Sequence, residues 1–291
     1  MTPTELAEQF RSHSRLTGVL ADNLEGWLRE PGTLSRYLEL TPRPLAGETR
    51  LVDLGCYQPT VGFYFGLGWK EVKGIFKDDG EGTVADAYGD EHGSRVEFVM
   101  RDLETEPLPV ADGWADAVIM MQVWEHFAVD PMHVLWETNR ILKPGGRLIL
   151  STPNGACWRY AMRVAQGSAA WDGMEFTGFS TNRHNRLYDA IELPRILAQA
   201  GFAVSACTTR DFGVYPTTRR ERVFKAALTV FDGVLALLSG RRNERNITLY
   251  AQATKHGPPP ERFPDTLYFR DQDWPGISAE RDRLIGMKSA R

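Results

Sequence analysis

From Arg50 onward, short apolar runs alternate with longer periodic stretches, and this alternation constrains the fold more than any other feature. Short apolar runs bounded by Gly, Pro or Asp are typical of buried strands, and longer stretches with helical periodicity are typical of helices. Because strands and helices alternate, the sequence favours a parallel α/β sheet. The predicted strands are Arg50–Leu54, Glu71–Phe76, Val96–Arg101, Ala115–Met121, Arg147–Thr152, Ala203–Asp211 and Asn246–Ala253, and the main predicted helices are Pro131–Leu142, Ala190–Ala200 and about 218–239.

The segments on either side of this alternation differ from it. At the start of the chain, Thr2 as N-cap, Pro3 in the first turn and Glu5 in a capping box predict a helix. Beyond Lys255 the chain is rich in proline and charge. We therefore divide the sequence into an N-terminal helical cap (1–49), an α/β domain (50–255) with a helical insertion at about 216–243, and a C-terminal tail (256–291).

Composition and charge exclude several classes of protein. The 291 residues carry a net charge of −4 at pH 7, without the basic excess that is typical of nucleic-acid binders. Cys56, Cys157 and Cys207 are too few and too scattered for a disulfide framework or a zinc cage. The sequence shows no targeting signal and no run of about 20 apolar residues. We expect a cytoplasmic protein without nucleic-acid partners.

The first predicted strand ends in the run LVDLGC, which contains Asp53 and Gly55. In an open α/β sheet, ligands bind at the carboxyl ends of the strands. Gly55 allows a sharp turn close to a ligand, and Asp53 is suited to hold loop amides or a ligand ammonium group. Since many α/β proteins share this arrangement, it does not identify the ligand.

Four further segments follow in a fixed order: Arg101–Leu103, Glu106–Phe127 (EPLPVADGWADAVIMMQVWEHF), Leu135–Asn154 (LWETNRILKPGGRLILSTPN) and His184–Phe202 (HNRLYDAIELPRILAQAGF). With this series the sequence resembles the class I S-adenosylmethionine (SAM)-dependent methyltransferases, particularly those acting on small molecules and glycans. The family pattern is an LPF-type turn, F-D-x-V, E-H, R-x-L-K-P-G-G and an H…Y…E-L…aGF block, and the likeness covers about 50–255. The resemblance implies a Rossmann-like seven-stranded sheet with its last strand antiparallel, and SAM as cofactor.

The resemblance also implies where the cofactor binds. The family uses the carboxylate at the position of Asp102 to accept a hydrogen bond from the adenine amino group, and the amide at Leu103 for a ring nitrogen. The alternative role for Asp102 is to cap its own loop. The residues expected at the cofactor are Asp53, Gly55, Cys56, Tyr57, Phe76, Asp78, Asp79, Asp102, Leu103 and Gln122.

Two departures from the family pattern affect this site. The family's D-x-G-x-G-x-G loop retains only its first glycine, Gly55, and continues through Cys56 and Tyr57 to Pro59. Phe76 occupies the position where the family tends to carry an acidic residue for the ribose hydroxyls. Either Asp78 or Asp79 takes over that role after a shift in loop register, or Phe76 stacks on the adenine.

A nicotinamide dehydrogenase is the competing interpretation of a doubly wound fold. Its G-x-G-x-x-G turn presents amides to a pyrophosphate. Those glycines are absent after the first predicted strand, and SAM, which has no phosphate, does not require them.

Methyl transfer from a sulfonium is an in-line displacement, and an aliphatic hydroxyl acceptor additionally needs a general base. Among the six histidines, His184 is the first candidate, because it lies on the segment that forms the acceptor wall in relatives. The alternative is a loop histidine bonded to backbone. His126, in the E-H pair after the fourth strand, is the second candidate, as a catalytic or a supporting group.

Aromatic residues are frequent between Asn154 and His184, and they suit stacking on a sugar ring or packing of a lid. Asp172 and Glu175 in this segment could ligate Mg²⁺, but a third carboxylate is not clearly placed. We therefore predict no metal.

The late helix carries an apolar stripe with arginines at both ends. The stripe consists of Val223, Phe224, Ala227, Leu228, Phe231, Val234, Leu235 and Leu238. Such a stripe can lie in a membrane interface, which would suit a lipid-linked acceptor. Burial in a core, a lid or a dimer contact is the commoner role, and we prefer it. We therefore keep two hypotheses about partners: peripheral membrane contact and a homodimer.

Taken as a whole, the sequence predicts a SAM-dependent methyltransferase that methylates oxygen on a small molecule or glycan. One alternative is a non-catalytic relative that has lost productive SAM binding. Another is a methyltransferase acting on a protein or a lipid-linked acceptor. The Asn-Pro-Pro-Tyr signature of many amide and base nitrogen targets is absent after Met121.

Overall fold

The computed structural model describes residues 2–13, 25–26, 28–29, 32–57, 60–77, 94–169, 175–177, 180–213, 215–239 and 244–260, with 264, 267, 279 and 283. Its helices are α1 (Pro3–His13), α2 (Thr33–Leu40), α3 (Val61–Leu67), α4 (Pro131–Ile141), α5 (Trp158–Ala165), α6 (Glu192–Gln199) and α7 (Arg219–Ser239). Its strands are β1 (Arg50–Leu54), β2 (Glu71–Phe76), β3 (Arg95–Met100), β4 (Ala115–Met121), β5 (Leu142–Pro153), β6 (Glu175–Thr177), β7 (Ser180–Asn182), β8 (Phe202–Arg210) and β9 (Thr248–Lys255).

Seven of these strands form one sheet in the order β3-β2-β1-β4-β5-β9-β8. Strands β1 to β5 run parallel to one another, whereas β9 pairs antiparallel with both β5 and β8. The predicted fold, a Rossmann-like sheet of seven strands with the last one antiparallel, is confirmed. We call the edge at which β1 to β5 end the carboxyl edge, where ligands of such sheets bind.

The run Lys143–Gly146 lies between the predicted helix, which ends at Leu142, and the predicted strand, which starts at Arg147. Strand β5 already starts at Leu142, which pairs with Ala115, and the pairing resumes at Arg147 with Ala117. The intervening residues form an irregularity within the strand, with Gly145 at φ +75°. The predicted end of the helix therefore agrees with the structure to within one residue, but the strand begins five residues earlier than predicted, because the irregularity keeps both Leu142 and Arg147 in β5.

Two apolar cores lie around the sheet, and one of them includes the N-terminal helices. Leu6 and Tyr37 of α1 and α2 are buried in the same cluster as Phe63, Tyr64 and Trp69. The predicted capping box is present: the Glu5 amide donates to Thr2 Oγ1 at 3.2 Å, and the Thr2 amide donates to Glu5 Oε2 at 2.7 Å. The helical cap therefore shares its core with the α/β domain.

The connection between β8 and β9 lies at the carboxyl edge. Thr248, the first residue of β9, pairs with Pro153 at the end of β5 and with Arg210 at the end of β8. The connection that contains helix α7 therefore leaves β8 and enters β9 at the edge where ligands bind. It corresponds to the predicted helical insertion.

Candidate active site

The turn after β1 is tightly packed against the turn after β4. The amides of Gly55 and Cys56 both donate to the Ile75 carbonyl, at 2.8 and 3.1 Å, which connects this turn to β2. Gly55 has φ +74°, and a Cβ built on it would lie 2.2 Å from Val123 Cγ2. Only glycine fits this position, because both the dihedral angle and the space exclude a side chain.

Asp53 supports this turn from inside the protein. Its side chain is 3% exposed, and Oδ2 accepts a hydrogen bond of 2.8 Å from the Tyr64 hydroxyl. The Cys56 thiol also bonds to it, and burial raises the pKa of the Asp53 carboxyl to about 7. These contacts show Asp53 fixing the loop, whereas its predicted contact with a ligand ammonium group stays a prediction.

The other residues predicted around the cofactor loop have varied surroundings. Cys56 is buried, and burial raises the pKa of its thiol well above the ordinary value. Tyr57 is half-buried, and its carbonyl accepts from Thr60. Phe76 is buried with its ring edge-on to Phe98, the centroids 6.3 Å apart. Asp78 and Asp79 lie outside the described residues.

Asp102 and Leu103 follow β3 at the same edge. Asp102 Oδ1 accepts a hydrogen bond of 3.0 Å from the Glu104 amide, so this oxygen caps the loop as the alternative interpretation foresaw. Asp102 Oδ2 lies 3.5 Å from Lys77 Nζ, and the side chain is 20% exposed. Leu103 is buried in the core. One carboxylate oxygen of Asp102 therefore caps the turn, and the other lies near Lys77, directly after β2.

Gln122 is the first residue after β4 and has a strained backbone, with φ 58°. Its amide donates to the Ser151 carbonyl at 2.8 Å, and its side-chain Nε2 lies 3.4 Å from Ser151 Oγ. Left-handed non-glycine residues are retained where the surroundings impose them, commonly at functional sites. Gln122 places the following turn, Trp124–His126, over the ends of β4 and β5.

The E-H pair of this turn contains a buried carboxyl group. Glu125 is 1% exposed, and its Oε2 accepts a hydrogen bond of 3.0 Å from the Thr152 hydroxyl on β5. Burial raises the pKa of Glu125 to about 7, and the charge of Arg36 on α2 opposes that shift. Arg36, on helix α2, thus adds a positive charge to the electrostatics of the site.

His126 and His184, the two predicted bases, lie side by side. Their ring centroids are 5.1 Å apart with the planes at 61°, and His126 Nε2 lies 3.9 Å from Glu125 Oε1. The segment carrying His184 is bonded to the E-H turn, since the Asn185 amide donates to the Glu125 carbonyl at 2.7 Å. The stacked rings of Trp124 and Tyr188, 3.9 Å apart, reinforce this contact.

A backbone contact determines which nitrogen of His126 is basic. Nδ1 lies 3.0 Å from the Arg183 carbonyl oxygen, and a carbonyl only accepts hydrogen bonds, so Nδ1 carries the hydrogen. The lone pair of the neutral ring is therefore on Nε2, toward Glu125. Burial is the largest cause that lowers the pKa of His126 below its ordinary value, so the neutral, proton-accepting form is favoured.

Glu125, His126 and His184 each offer one ligand atom, and these three atoms lie within 4.8 Å of one another. Two imidazoles and a carboxylate suit a divalent transition metal, and an imidazole base equally well. A separate cavity of about 910 Å³ adjoins this group, lined among others by Phe127 and Asn185. Neither imidazole lines that cavity, so we do not assign it to the acceptor.

The sequence does not indicate roles for Glu125, Thr152 or Tyr64. Glu125 was noted only as half of the E-H pair, and nothing in the sequence shows that a hydroxyl from β5 meets it. The available signal was its position four residues after the strand Ala115–Met121, whose last five residues are apolar. Tyr64 had no such signal, because its contact with Asp53 depends on how α3 packs on β1.

The residues at the carboxyl edge fit SAM in part. The glycine turn after β1 leaves no room for a Cβ, and Asp102 lies in the turn that follows β3 at the same edge. Together with the sheet order, these features define a class I methyltransferase fold. A family model described as a methyltransferase domain matches residues 27–206, and the chain belongs to this family, whose cofactor is SAM.

Relatives and solved structures agree with this assignment. The ubiquinone biosynthesis O-methyltransferase of Ruegeria pomeroyi is 32% identical over 161 residues, which cover 55% of this chain and 62% of the relative. The chain thus matches less than two thirds of that relative's length. A methyltransferase candidate from Haloferax volcanii, solved with the Trm112 methyltransferase activator, has a TM-score of 0.54 at 18% identity, covering 82% of this chain and 96% of that one. A candidate SAM-dependent methyltransferase from Listeria monocytogenes has a TM-score of 0.50 at 13% identity, covering 77% and 97%.

Proposed function

We propose that this protein transfers a methyl group from SAM to a hydroxyl oxygen of a small-molecule or glycan acceptor in the cytoplasm. The observation that carries the proposal is the pairing of His126 and His184 beside the buried Glu125 at the carboxyl edge. The name of the Ruegeria relative, an O-methyltransferase, supports oxygen as the methylated atom. The three described cysteines are free thiols, which supports a reducing compartment.

The turn at Gly55–Tyr57, the Asp102–Leu103 turn and Gln122 would hold the cofactor. When bound, SAM supplies an electrophilic methyl group on a sulfonium. The fixed turns align the acceptor with that group, and alignment is the main requirement of an in-line displacement. Phe76 packs against Phe98, so it contributes an apolar wall where relatives carry an acidic residue.

The imidazole pair takes the proton from the acceptor oxygen. His184 is the proposed base, and His126, with its lone pair fixed on Nε2, lies beside it to share the proton. Glu125 would stabilise the imidazolium form of His126 when His126 shares the proton, because Glu125 Oε1 lies 3.9 Å from His126 Nε2. A phenolic acceptor would need this assistance far less than an aliphatic hydroxyl does, since a phenol ionises more readily.

The test combines binding with turnover. Calorimetry with SAM and S-adenosylhomocysteine should show micromolar binding that Asp102→Ala weakens. On a sugar or other aliphatic hydroxyl acceptor, His184→Ala and His126→Ala should each lower kcat by about 100-fold or more with SAM affinity nearly intact. His256→Ala, at an exposed histidine, is the matched control and should behave as wild type. Unchanged turnover of His184→Ala would remove it from the mechanism, and absence of SAM binding would favour a non-catalytic relative.

Removal of metal ions distinguishes proton transfer from metal binding as the role of Glu125, His126 and His184. We assign proton transfer to them, so dialysis against a chelator should leave methyl transfer unchanged. Turnover that falls on chelation and returns with Zn²⁺ or Mn²⁺ would contradict the assignment and make the same three groups metal ligands.

A further inference from the structure

Most of the apolar stripe on helix α7 is exposed, although the sequence favoured its burial. Its exposed large apolar side chains are Val223, Val230, Phe231, Val234, Leu237 and Leu238, with exposed fractions from 51% to 87%. They make up six of the eleven large apolar side chains that are exposed in the described part of the chain. Of the three preferred roles, burial in a core is therefore wrong for Val223, Phe231, Val234 and Leu238, whereas a lid or a dimer contact stays a prediction.

The outer face of α7, defined here as its exposed residues from Val223 to Leu238, carries no charge. Its other members are Ala226, Ala227, Thr229 and Gly233. The charged residues of this stretch lie on the opposite face: Lys225 bonds to Asp211, and Asp232 is 6% exposed and bonds to Arg245 at 2.9 Å. A contiguous apolar face of this kind on the surface marks an interaction site.

The N-terminal end of the same helix is positively charged. Arg219, Arg220 and Arg222 are all exposed. The neighbouring Glu221, whose carboxylate accepts hydrogen bonds from the amides of Thr217 and Thr218 at 2.8 and 2.9 Å, offsets one of these charges, so three arginines against one glutamate leave this end of the helix with a net positive charge. An uncharged apolar face next to a cationic end complements a bilayer surface with anionic headgroups.

We propose that α7 docks on anionic membrane surfaces, with its outer face in the headgroup–acyl boundary and its arginines on lipid phosphates. The same helix of a second copy would offer an apolar face but no carboxylate there for the arginines, so the bilayer is the better complement. Because the connection that contains α7 joins β8 and β9 at the carboxyl edge, docking would bring the candidate active site toward the lipid. Within the described residues, no helix has the length and apolar content to cross a bilayer. The proposal concerns binding and stands independently of methyl transfer.

Sedimentation with vesicles tests the proposal on the full chain. The wild type should sediment with vesicles of phosphatidylcholine plus phosphatidylglycerol, and much less with phosphatidylcholine alone. Leu237→Glu should weaken binding about tenfold or more, because it removes the most exposed apolar side chain of the face and adds a charge. Leu45→Glu is the matched control, since Leu45 is 60% exposed but precedes β1 at the opposite edge of the sheet. The double variant Arg220→Gln, Arg222→Gln should lose about tenfold on the anionic vesicles.

Circular dichroism of each variant shows whether it is folded, and both test sites are exposed enough to tolerate the change. Absence of wild-type sedimentation, or equal sedimentation of Leu237→Glu and wild type, would overturn the proposal. A dimer in light scattering that Leu237→Glu dissociates, without vesicle binding by the wild type, would overturn it in favour of a second copy on this face.

Discussion

At the scale of single residues, the two buried carboxyl groups of the site link folding to pH. Asp53 and Glu125 both have their pKa raised to about 7 by burial. Between the ordinary pKa of a carboxyl group and pH 7, the folded protein therefore binds more protons than the unfolded chain. Each of these two groups therefore lowers the free energy of unfolding as the pH rises through this window, whereas His126, whose pKa burial lowers, contributes in the opposite direction below its ordinary pKa.

Replacing one of these groups should make the pH dependence less steep. Wild type should lose up to about 1.4 kcal/mol of unfolding free energy per pH unit for each group between pH 5 and 7. Glu125→Gln should remove the part of this slope that Glu125 contributes and leave the part that Asp53 contributes. Urea unfolding followed by circular dichroism at several pH values measures it.

Asp116→Asn provides the control for that experiment. Asp116 bonds to Lys143 and to the amides of Thr49 and Arg50, and these bonds lower its pKa. Its carboxylate is ionised in both the folded and the unfolded state above pH 5, so the variant should keep the wild-type slope. An unchanged slope in Glu125→Gln would show that Glu125 is ionised in the folded protein.

At the scale of elements, the turn after β1 depends on one glycine. Gly55→Ala should lower the free energy of unfolding by roughly 3 kcal/mol, since it combines left-handed strain with a clash against Val123. SAM affinity should fall more than tenfold with it. Thermal unfolding and calorimetry measure both effects.

The variant Gly145→Ala distinguishes the cost of backbone strain from the cost of a steric clash. Gly145 has φ +75°, close to the φ of Gly55, but a Cβ there would meet nothing within 4 Å. This variant should cost only about 1 kcal/mol, the strain alone. Equal losses in the two variants would show that contact with Val123 does not constrain the turn.

The sequence predicted those elements whose signals are local. The capping box at Thr2 and Glu5, the strand β1 and the glycine turn depend on residues a few positions apart, and the structure places them as expected. The exposed face of α7 could not be predicted, because a helix that is apolar on most of its circumference gives no signal for which side packs. The bond from Thr152 to Glu125 depends on strand register, which the sequence does not encode locally.

At the scale of the whole molecule, the N-terminal helices and the α/β domain share one core. Leu6 of α1 is fully buried in the cluster that contains Phe63 and Trp69. An ion pair of 2.9 Å between Arg210 and Glu39 also connects the end of β8 with α2. The boundary at residue 49 is therefore a change of sequence pattern within one packed body.

A single substitution can show whether this shared core makes folding cooperative. Leu6→Ala leaves a cavity in the common cluster and should lower the free energy of unfolding by roughly 2–5 kcal/mol. If the cap and the α/β domain unfold together, both variant and wild type lose far-UV circular dichroism and tryptophan fluorescence in one transition. Leu45→Ala, at a side chain that is 60% exposed, should change stability by less than about 0.5 kcal/mol. An early transition that appears only in Leu6→Ala would instead show that α1 detaches independently. SAM binding measured between that early transition and the main one would then show whether the cap is needed to form the site.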